Sequence, residues 1–229
     1  MTDTLANTPP PDPVVHARAA TPQRPDAEKS APRASRSYPV LEQLATLYPH
    51  LFGAVFLPLK RGIFQDLLAA HAETLEREAL KGALALHTRS TRYLAAVASG
   101  QQRHDLQGQA VEAMAPEHVH HALLEVFRRR QGRSNEDLRP KLRERVIQAF
   151  GASGLSRQAY AELVHSRDEA ANAMLDEVLN EAAARAAKDE ALLRAFEASA
   201  QTVDAFAEMY GMDPRAAAQT LARARRQRS

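Results

Sequence analysis

The chain has 229 residues, of which 45% are hydrophobic and 25% are charged, and these proportions are typical of a globular protein. It contains no cysteine, which excludes disulfides, thiolate metal sites and cysteine nucleophiles. Thirty Lys and Arg against 28 Asp and Glu leave a formal net charge of +2, so attraction to a polyanion depends on how the charges are distributed. There is no run of 18 apolar residues and no apolar stretch behind a basic start, so we expect a cytoplasmic protein without a membrane span.

Residues 1–37 are predicted to form a disordered, proline-rich arm. Seven of the 13 prolines lie here, among small and polar residues. Such a segment cannot bury enough apolar surface to offset the entropy that is lost on ordering. Its five basic residues oppose four acidic ones, so the arm would attract a polyanion only weakly.

Residues 38–130 are predicted to form a compact, mainly helical domain with a small β-hairpin. The short runs on either side of Gln107 and Gly108 predict the hairpin. The apolar run over 51–59 is interrupted by Gly and Pro, and we expect it to be extended. Apolar residues at helical spacing predict five helices, over about 40–48, 63–71, 76–87, 92–97 and 116–130.

Residues 131–229 are predicted to form a helical extension that is rich in Ala, Glu and Arg, with breaks at 151–154 and 211–214. The part over 156–198 could form a long helix that mediates a protein contact or self-association. Two interpretations of the Arg-rich C-terminus remain open. It is either a flexible cationic tail that adds RNA phosphate contacts or a solubilising helix end. The residues concerned are Arg223, Arg225, Arg226 and Arg228.

The sequence contains none of the usual enzyme signatures. It has no phosphate-binding loop, dinucleotide fingerprint, nucleophile elbow or zinc-protease helix, so we predict no enzymatic activity and no cofactor. Three histidines lie close together, but His118 and His121 share one helical face whereas His120 points elsewhere. This geometry disfavours a three-ligand metal site and favours histidines that face solvent or RNA.

Pairs of basic residues occur at positions that could bind phosphate. Lys60 and Arg61 precede the second predicted helix, whose N-terminus adds a partial positive charge. Arg77 and Lys81 stand four residues apart and therefore share a helical face. A merely solvated face is the alternative interpretation of this spacing.

A further basic pair flanks the start of the fourth predicted helix. Arg89 and Arg92 lie there beside the hydroxyl groups of Thr88 and Ser90. Because the first backbone N–H groups of a helix have no partner within the helix, such an end binds phosphate readily. These four residues are therefore candidate phosphate contacts.

Several motifs in the compact domain carry a family resemblance. Residues 58–67 read PLKRGIFQDL, and four further motifs occur in order: YPHLF at 48–52, LKGALALHTRSTRYL at 80–94, RHDLQG at 103–108 and EHVHHA at 117–122. Together they resemble the ProQ/FinO family of bacterial RNA-binding proteins and RNA chaperones. The resemblance covers about 38–130 and leaves the arm and the extension outside it.

The resemblance implies binding of structured RNA, chiefly terminator-like hairpins with a U-rich 3′ tail. The 3′ end would enter a concave pocket, and a basic helical face would lie along the duplex. Tyr93 and Arg103 correspond to pocket residues, Lys60 to the lysine of the signature, and Arg77 and Lys81 to the basic helical face. Tyr93 could stack a base, and Arg103 could bind a terminal phosphate or hydroxyl with its fork of donors.

Four positions depart from the family pattern. Ala85 stands where the basic face of some relatives continues. His87 and Thr91 replace an aromatic pair that is common in relatives, and of these two only His87 could still stack. His104 follows Arg103 and is a candidate for an additional RNA contact.

The sequence therefore predicts an RNA chaperone that acts in small-RNA-mediated post-transcriptional regulation on small RNAs and mRNA 3′ ends, with no membrane or metal partner. One alternative is a plasmid-type antisense-RNA chaperone with one dominant RNA. Another is a helical protein–protein adaptor whose basic face is incidental.

Overall fold

The structure, a computed structural model, describes residues 33–228, which contain eleven helices and one two-stranded sheet. Most of the predicted arm over 1–37 lies outside the described residues. Its last five residues differ from the expectation, because the first helix already begins at Arg33. No helix within residues 33–228 is long and apolar enough to cross a membrane.

The predicted mainly helical domain with a hairpin is confirmed. The apolar run over 51–59 is not extended throughout, since Pro49 starts a one-turn helix that buries Leu51 and Phe52. The elements are α1 (Arg33–Leu47), α2 (Pro49–Phe52), α3 (Ile63–Ala70), α4 (Arg77–Arg89), α5 (Thr91–Ala98), β1 (Arg103–His104), β2 (Ala110–Glu112) and α6 (Pro116–Gln131).

The hairpin also anchors the segment that precedes α3. Strands β1 and β2 are antiparallel, with Arg103 opposite Glu112. Leu59 forms an isolated parallel bridge with His104. The His104 N–H donates to the Pro58 carbonyl at 2.7 Å, and the Lys60 N–H donates to the His104 carbonyl at 2.8 Å. The start of the signature motif is therefore held against the edge of the hairpin.

The predicted helical extension comprises five helices. The expected run over 156–198 is divided at 165–168, where the carboxylate of Asp168 caps the next helix by accepting the Ala171 N–H at 3.1 Å. The helices are α7 (Arg139–Ser153), α8 (Arg157–Val164), α9 (Glu169–Ser199), α10 (Val203–Met209) and α11 (Pro214–Arg228).

The hydrophobic core of the compact domain continues into the first half of this extension. Val146 of α7, Tyr160 of α8 and Val178 of α9 are fully buried in the same cluster as Leu44 and Leu80. Leu193, near the end of α9, instead belongs to a second cluster with α11. The first hydrophobic core therefore contains residues on both sides of the boundary predicted at 131.

Candidate nucleic-acid interface

The segment over 58–61 brings five of the predicted site residues into one cluster beside β1. The backbone N–H of Leu59 donates to the Tyr93 hydroxyl oxygen at 3.1 Å, and the Arg103 guanidinium donates to the Leu59 carbonyl at 3.1 Å. The bonds between residues 58–60 and β1 complete the arrangement. The residues thus gathered are Lys60, Arg61, Tyr93, Arg103 and His104.

Two carboxylates neutralise part of the charge of this cluster. The Lys60 ammonium lies 2.8 Å from Asp66, and this hydrogen bond raises the pKa of Lys60. Glu112 accepts the Arg61 N–H at 2.8 Å, and its carboxylate lies 3.6 Å from the Arg61 guanidinium and 3.9 Å from that of Arg103. Three cations therefore share two carboxylates, and an incoming phosphate would have to displace them.

The cluster also contains buried nitrogen atoms without a hydrogen-bond partner among the described residues. They are Nε of Arg103, whose side chain is only 12% exposed, and Nδ1 of His104. Buried polar atoms without partners are rare in folded proteins and cost free energy. Their presence marks the edge formed by β1 as a place where an additional acceptor or donor would stabilise the structure.

The stacking role expected of Tyr93 does not fit its position. The residue is 7% exposed, because the apolar face of α5 turns it into the core. Its hydroxyl holds the backbone at Leu59, and burial raises the pKa of this hydroxyl. Tyr93 is therefore a positioning residue for the 58–61 segment rather than a platform for a base.

His87 is likewise unavailable for stacking. It is 4% exposed, and its ring lies 4.7 Å from that of Phe52, 4.4 Å from that of Phe56 and 5.2 Å from that of Tyr93, measured between centroids. Burial, reinforced by the nearby charge of Arg92, lowers its pKa to about 4. The side chain is therefore neutral at physiological pH and belongs to the core.

The exposed face of α4 carries cations that no carboxylate neutralises within the described residues. Arg77, at the start of the helix, places its guanidinium 5.7 Å from the centroid of the Phe64 ring. Lys81 follows one turn later and is exposed. Ala85 continues this line with a short apolar side chain, so the basic stripe is interrupted before Arg89 at the end of the helix.

The junction of α4 and α5 adds a second group of predicted residues. Arg92 lies 4.3 Å from the centroid of the Phe56 ring, donates to the Ala54 carbonyl and is exposed. The hydroxyls serve the helices instead: Thr88 donates to the Leu84 carbonyl at 2.8 Å, and Ser90 caps α5 by accepting the Tyr93 N–H at 3.1 Å. The guanidinium groups of Arg89 and Arg92 therefore remain the candidate phosphate contacts at this junction.

The three clustered histidines do not share one environment. His118 and His121 are exposed, as expected, but His120 is buried because Tyr160 of α8 covers it, with its hydroxyl 3.3 Å from Nδ1. Burial, together with the charge of His121, lowers the pKa of His120 to about 4. In the described part of the chain, no group of three or more His, Asp or Glu could hold a metal ion.

The Arg-rich C-terminus is not a flexible tail, because its arginines lie on a packed helix. The Arg223 guanidinium donates to the buried carboxylate of Asp189 at 2.9 Å, and Arg228 forms a two-point pair with Glu197 at 2.7 and 2.9 Å. Arg225 lies 5.7 Å from the centroid of an aromatic ring of α9. Arg226 is exposed. Arg223, Arg225 and Arg228, which were expected to be accessory RNA contacts, are therefore engaged within the protein.

Sequence reasoning did not single out Glu112, which links Arg61 to Arg103. The signal lay in the hairpin register, which places Glu112 opposite Arg103. Opposite charges at directly paired positions of antiparallel strands attract each other. A strand alignment made before the structure would have identified this carboxylate.

Comparisons with known proteins agree with the motifs. Residues 34–139 match the model of the ProQ/FINO family, a span that extends the predicted 38–130 on both sides. Among solved structures, the chain is similar to a FinO-like RNA chaperone from Neisseria meningitidis, with 25% sequence identity. That similarity covers 44% of this chain and 84% of the other, with a TM-score of 0.37. Residues 34–139 therefore form a segment that is similar to the ProQ/FinO family.

Proposed function

We propose that this protein is an RNA-binding protein that acts as an RNA chaperone. Its preferred ligands are terminator-like hairpins with a U-rich 3′ tail, in small-RNA-mediated post-transcriptional regulation. The observation that carries the proposal is the set of exposed cations on α4 and α5 that have no carboxylate partner within the described residues. These are Arg77, Lys81, Arg89 and Arg92, and they belong to the segment that matches the family. The protein acts by binding, without covalent chemistry.

The hairpin stem is bound through its backbone. Side chains cannot read the deep, narrow major groove of A-form RNA, so contacts to phosphates and to shape dominate. Along α4, the distance from Arg77 to Arg89 is about 18 Å at 1.5 Å per residue, which is long enough to meet several successive phosphates. Because Ala85 interrupts the stripe, we expect the contacts to divide between the two ends of α4.

The single-stranded 3′ end is bound at the cluster beside β1. A terminal phosphate or ribose hydroxyl displaces Glu112 from Arg61 and Arg103 and supplies an acceptor for the buried guanidinium. Lys60 contributes after separating from Asp66. Because these displacements cost free energy, the cluster adds specificity for a free 3′ end but little net affinity. The α4–α5 face supplies most of the affinity.

The test is a fluorescence-anisotropy titration of two hairpins with a common stem, one ending in a U-rich 3′ tail and the other without it. We expect tighter binding of the tailed RNA, and Arg61→Ala should reduce that preference while leaving the affinity for the tail-less RNA nearly unchanged. Arg157→Ala, which removes one exposed charge from α8, is the matched control. Equal affinities for the two hairpins would contradict 3′-end recognition, and absence of binding to both would contradict the RNA-binding function.

A further inference from the structure

The last two helices of the chain, α10 and α11, are connected as in a helix-turn-helix unit. The seven-residue helix α10 is joined to α11 by four residues, 210–213. Gly211 lies in this turn with φ of +63°, a conformation that favours glycine. The Met212 N–H returns to the Ala207 carbonyl at 2.8 Å and closes the turn. Two helices joined by a four-residue turn that contains glycine are characteristic of this motif.

A small core fixes the orientation of α11. Its Ala217, Leu221 and Ala224 are buried, as are Phe206 of α10 and Leu193 of α9. Because the three buried residues of α11 are spaced by four and three positions, they occupy one side of the helix. The opposite side is therefore directed away from α9 and α10.

Two ion pairs also hold α11 against α9. Arg223 binds the buried Asp189, and Arg228 binds Glu197. These pairs lie in the C-terminal half of α11, so they stabilise its attachment without covering its N-terminal half. In the first turns of α11, the side that carries Arg215 and Gln219 is therefore exposed to solvent.

The solvent face of α11 carries side chains suited to reading base pairs. Arg215 and Gln219 are exposed and are separated by four residues, which places them in one line opposite the buried side. The small side chain of Ala218, beside this line, permits close approach of the helix backbone. The sequence of α11 contains five arginines and no acidic residue, and two of the five, Arg223 and Arg228, are paired with carboxylates of α9.

We propose that α11 is a recognition helix that binds in the major groove of double-stranded DNA. The major groove of B-form DNA is about 12 Å wide and admits a helix, whereas that of A-form RNA does not admit side chains. Arginine pairs with guanine and glutamine with adenine through two hydrogen bonds each. In helix-turn-helix proteins, the first turns of the second helix contact the bases, and here those turns carry Arg215 and Gln219. This activity is separate from the proposed RNA binding and uses different residues.

The proposal is tested with the full-length protein and a pool of random-sequence DNA duplexes of about 30 base pairs, which is close to three helical turns. Rounds of binding and amplification should enrich a sequence motif, whose affinity is then measured by gel shift. The double variant R215A/Q219A should bind the enriched duplex at least about tenfold more weakly, the factor that one good base contact provides. The matched control is R157A/Q158A, which removes an exposed Arg and Gln from α8.

Competition separates this result from the RNA-binding function. A tailed hairpin RNA should not displace the DNA, and R77A/K81A should bind the duplex as tightly as the wild type. Absence of duplex binding at about 50 mM salt, where phosphate contacts are strong, would overturn the proposal. Equal weakening by the test and control variants would also overturn it. So would loss of DNA binding in R77A/K81A, since the DNA would then occupy the α4–α5 face.

Discussion

Two buried histidines make the stability of this fold depend on pH. His87 lies in an aromatic cage and is 4% exposed, and His120 lies against Tyr160 and is 3% exposed. Burial is the main cause that lowers the pKa of each histidine from 6.5 to about 4. Lowering the pH should therefore destabilise the folded protein before its carboxylates become protonated.

The sign and the size of the effect follow from proton linkage. Between about pH 6.5 and 4, the unfolded chain binds protons at both histidines and the folded protein does not, so the free energy of unfolding falls as the pH falls. A pKa difference of about 2.5 units corresponds to roughly 3 kcal/mol per histidine. The two together amount to about 6 kcal/mol, which is a large part of the 5–15 kcal/mol typical of natural domains.

Urea unfolding followed by circular dichroism measures this dependence at a series of pH values from about 7.5 to 4. The free energy of unfolding should be highest above about pH 6.5 and decrease steadily below it. His87→Phe, which places an apolar ring in the aromatic cage, should remove about half of the decrease. His118→Asn, a change at an exposed position of α6, is the control and should leave the decrease intact. A free energy of unfolding that stays constant between pH 6.5 and 4.5, or a decrease of full size in His87→Phe, would refute the reasoning.

Three further predictions concern the basic face, the extension and the C-terminal unit. The double variant Arg77→Ala/Lys81→Ala should weaken hairpin binding, measured by anisotropy at several salt concentrations. The slope of log Kd against log salt should fall by about 1 for each phosphate that the variant no longer binds. An unchanged slope would show that these residues are not part of the interface. Tyr160→Ala should lower the free energy of unfolding, measured by urea denaturation, by about 3–5 kcal/mol, because the ring is fully buried where α8 meets the main core. A decrease below about 1 kcal/mol would mean that α8 is not part of that core. Asp189→Asn weakens the ion pair with Arg223, so it should lower the midpoint of thermal unfolding and increase amide hydrogen exchange in α11. Unchanged exchange would show that this pair does not hold α11 against α9.

The helices of the compact domain were predictable because their signals are local. Apolar residues at helical spacing identified α3 to α6, and Pro116 marked the start of α6. The run RHDLQG identified the hairpin through its turn residues. The motif at 58–67 connected these elements to a family, which no periodicity could have done.

The features that the sequence did not reveal depend on contacts between distant parts of the chain. Tyr93 is buried, and its hydroxyl accepts the backbone N–H of Leu59, which is 34 residues away. His120 is buried because Tyr160, 40 residues away, covers it. The arginines at the C-terminus form pairs with α9 that depend on how two helices pack. Composition and spacing describe one segment at a time, so they could not distinguish an exposed arginine from one already paired.

The central claim is that the α4–α5 face binds the RNA backbone, and its most direct test is the salt dependence of wild-type binding to the tailed hairpin. Each phosphate contact contributes about 0.7–0.9 to the slope of log affinity against log salt. With the four cations Arg77, Lys81, Arg89 and Arg92 engaged, we expect a slope of about −3. A slope near zero, or no binding at low salt, would contradict the account and favour a protein–protein adaptor.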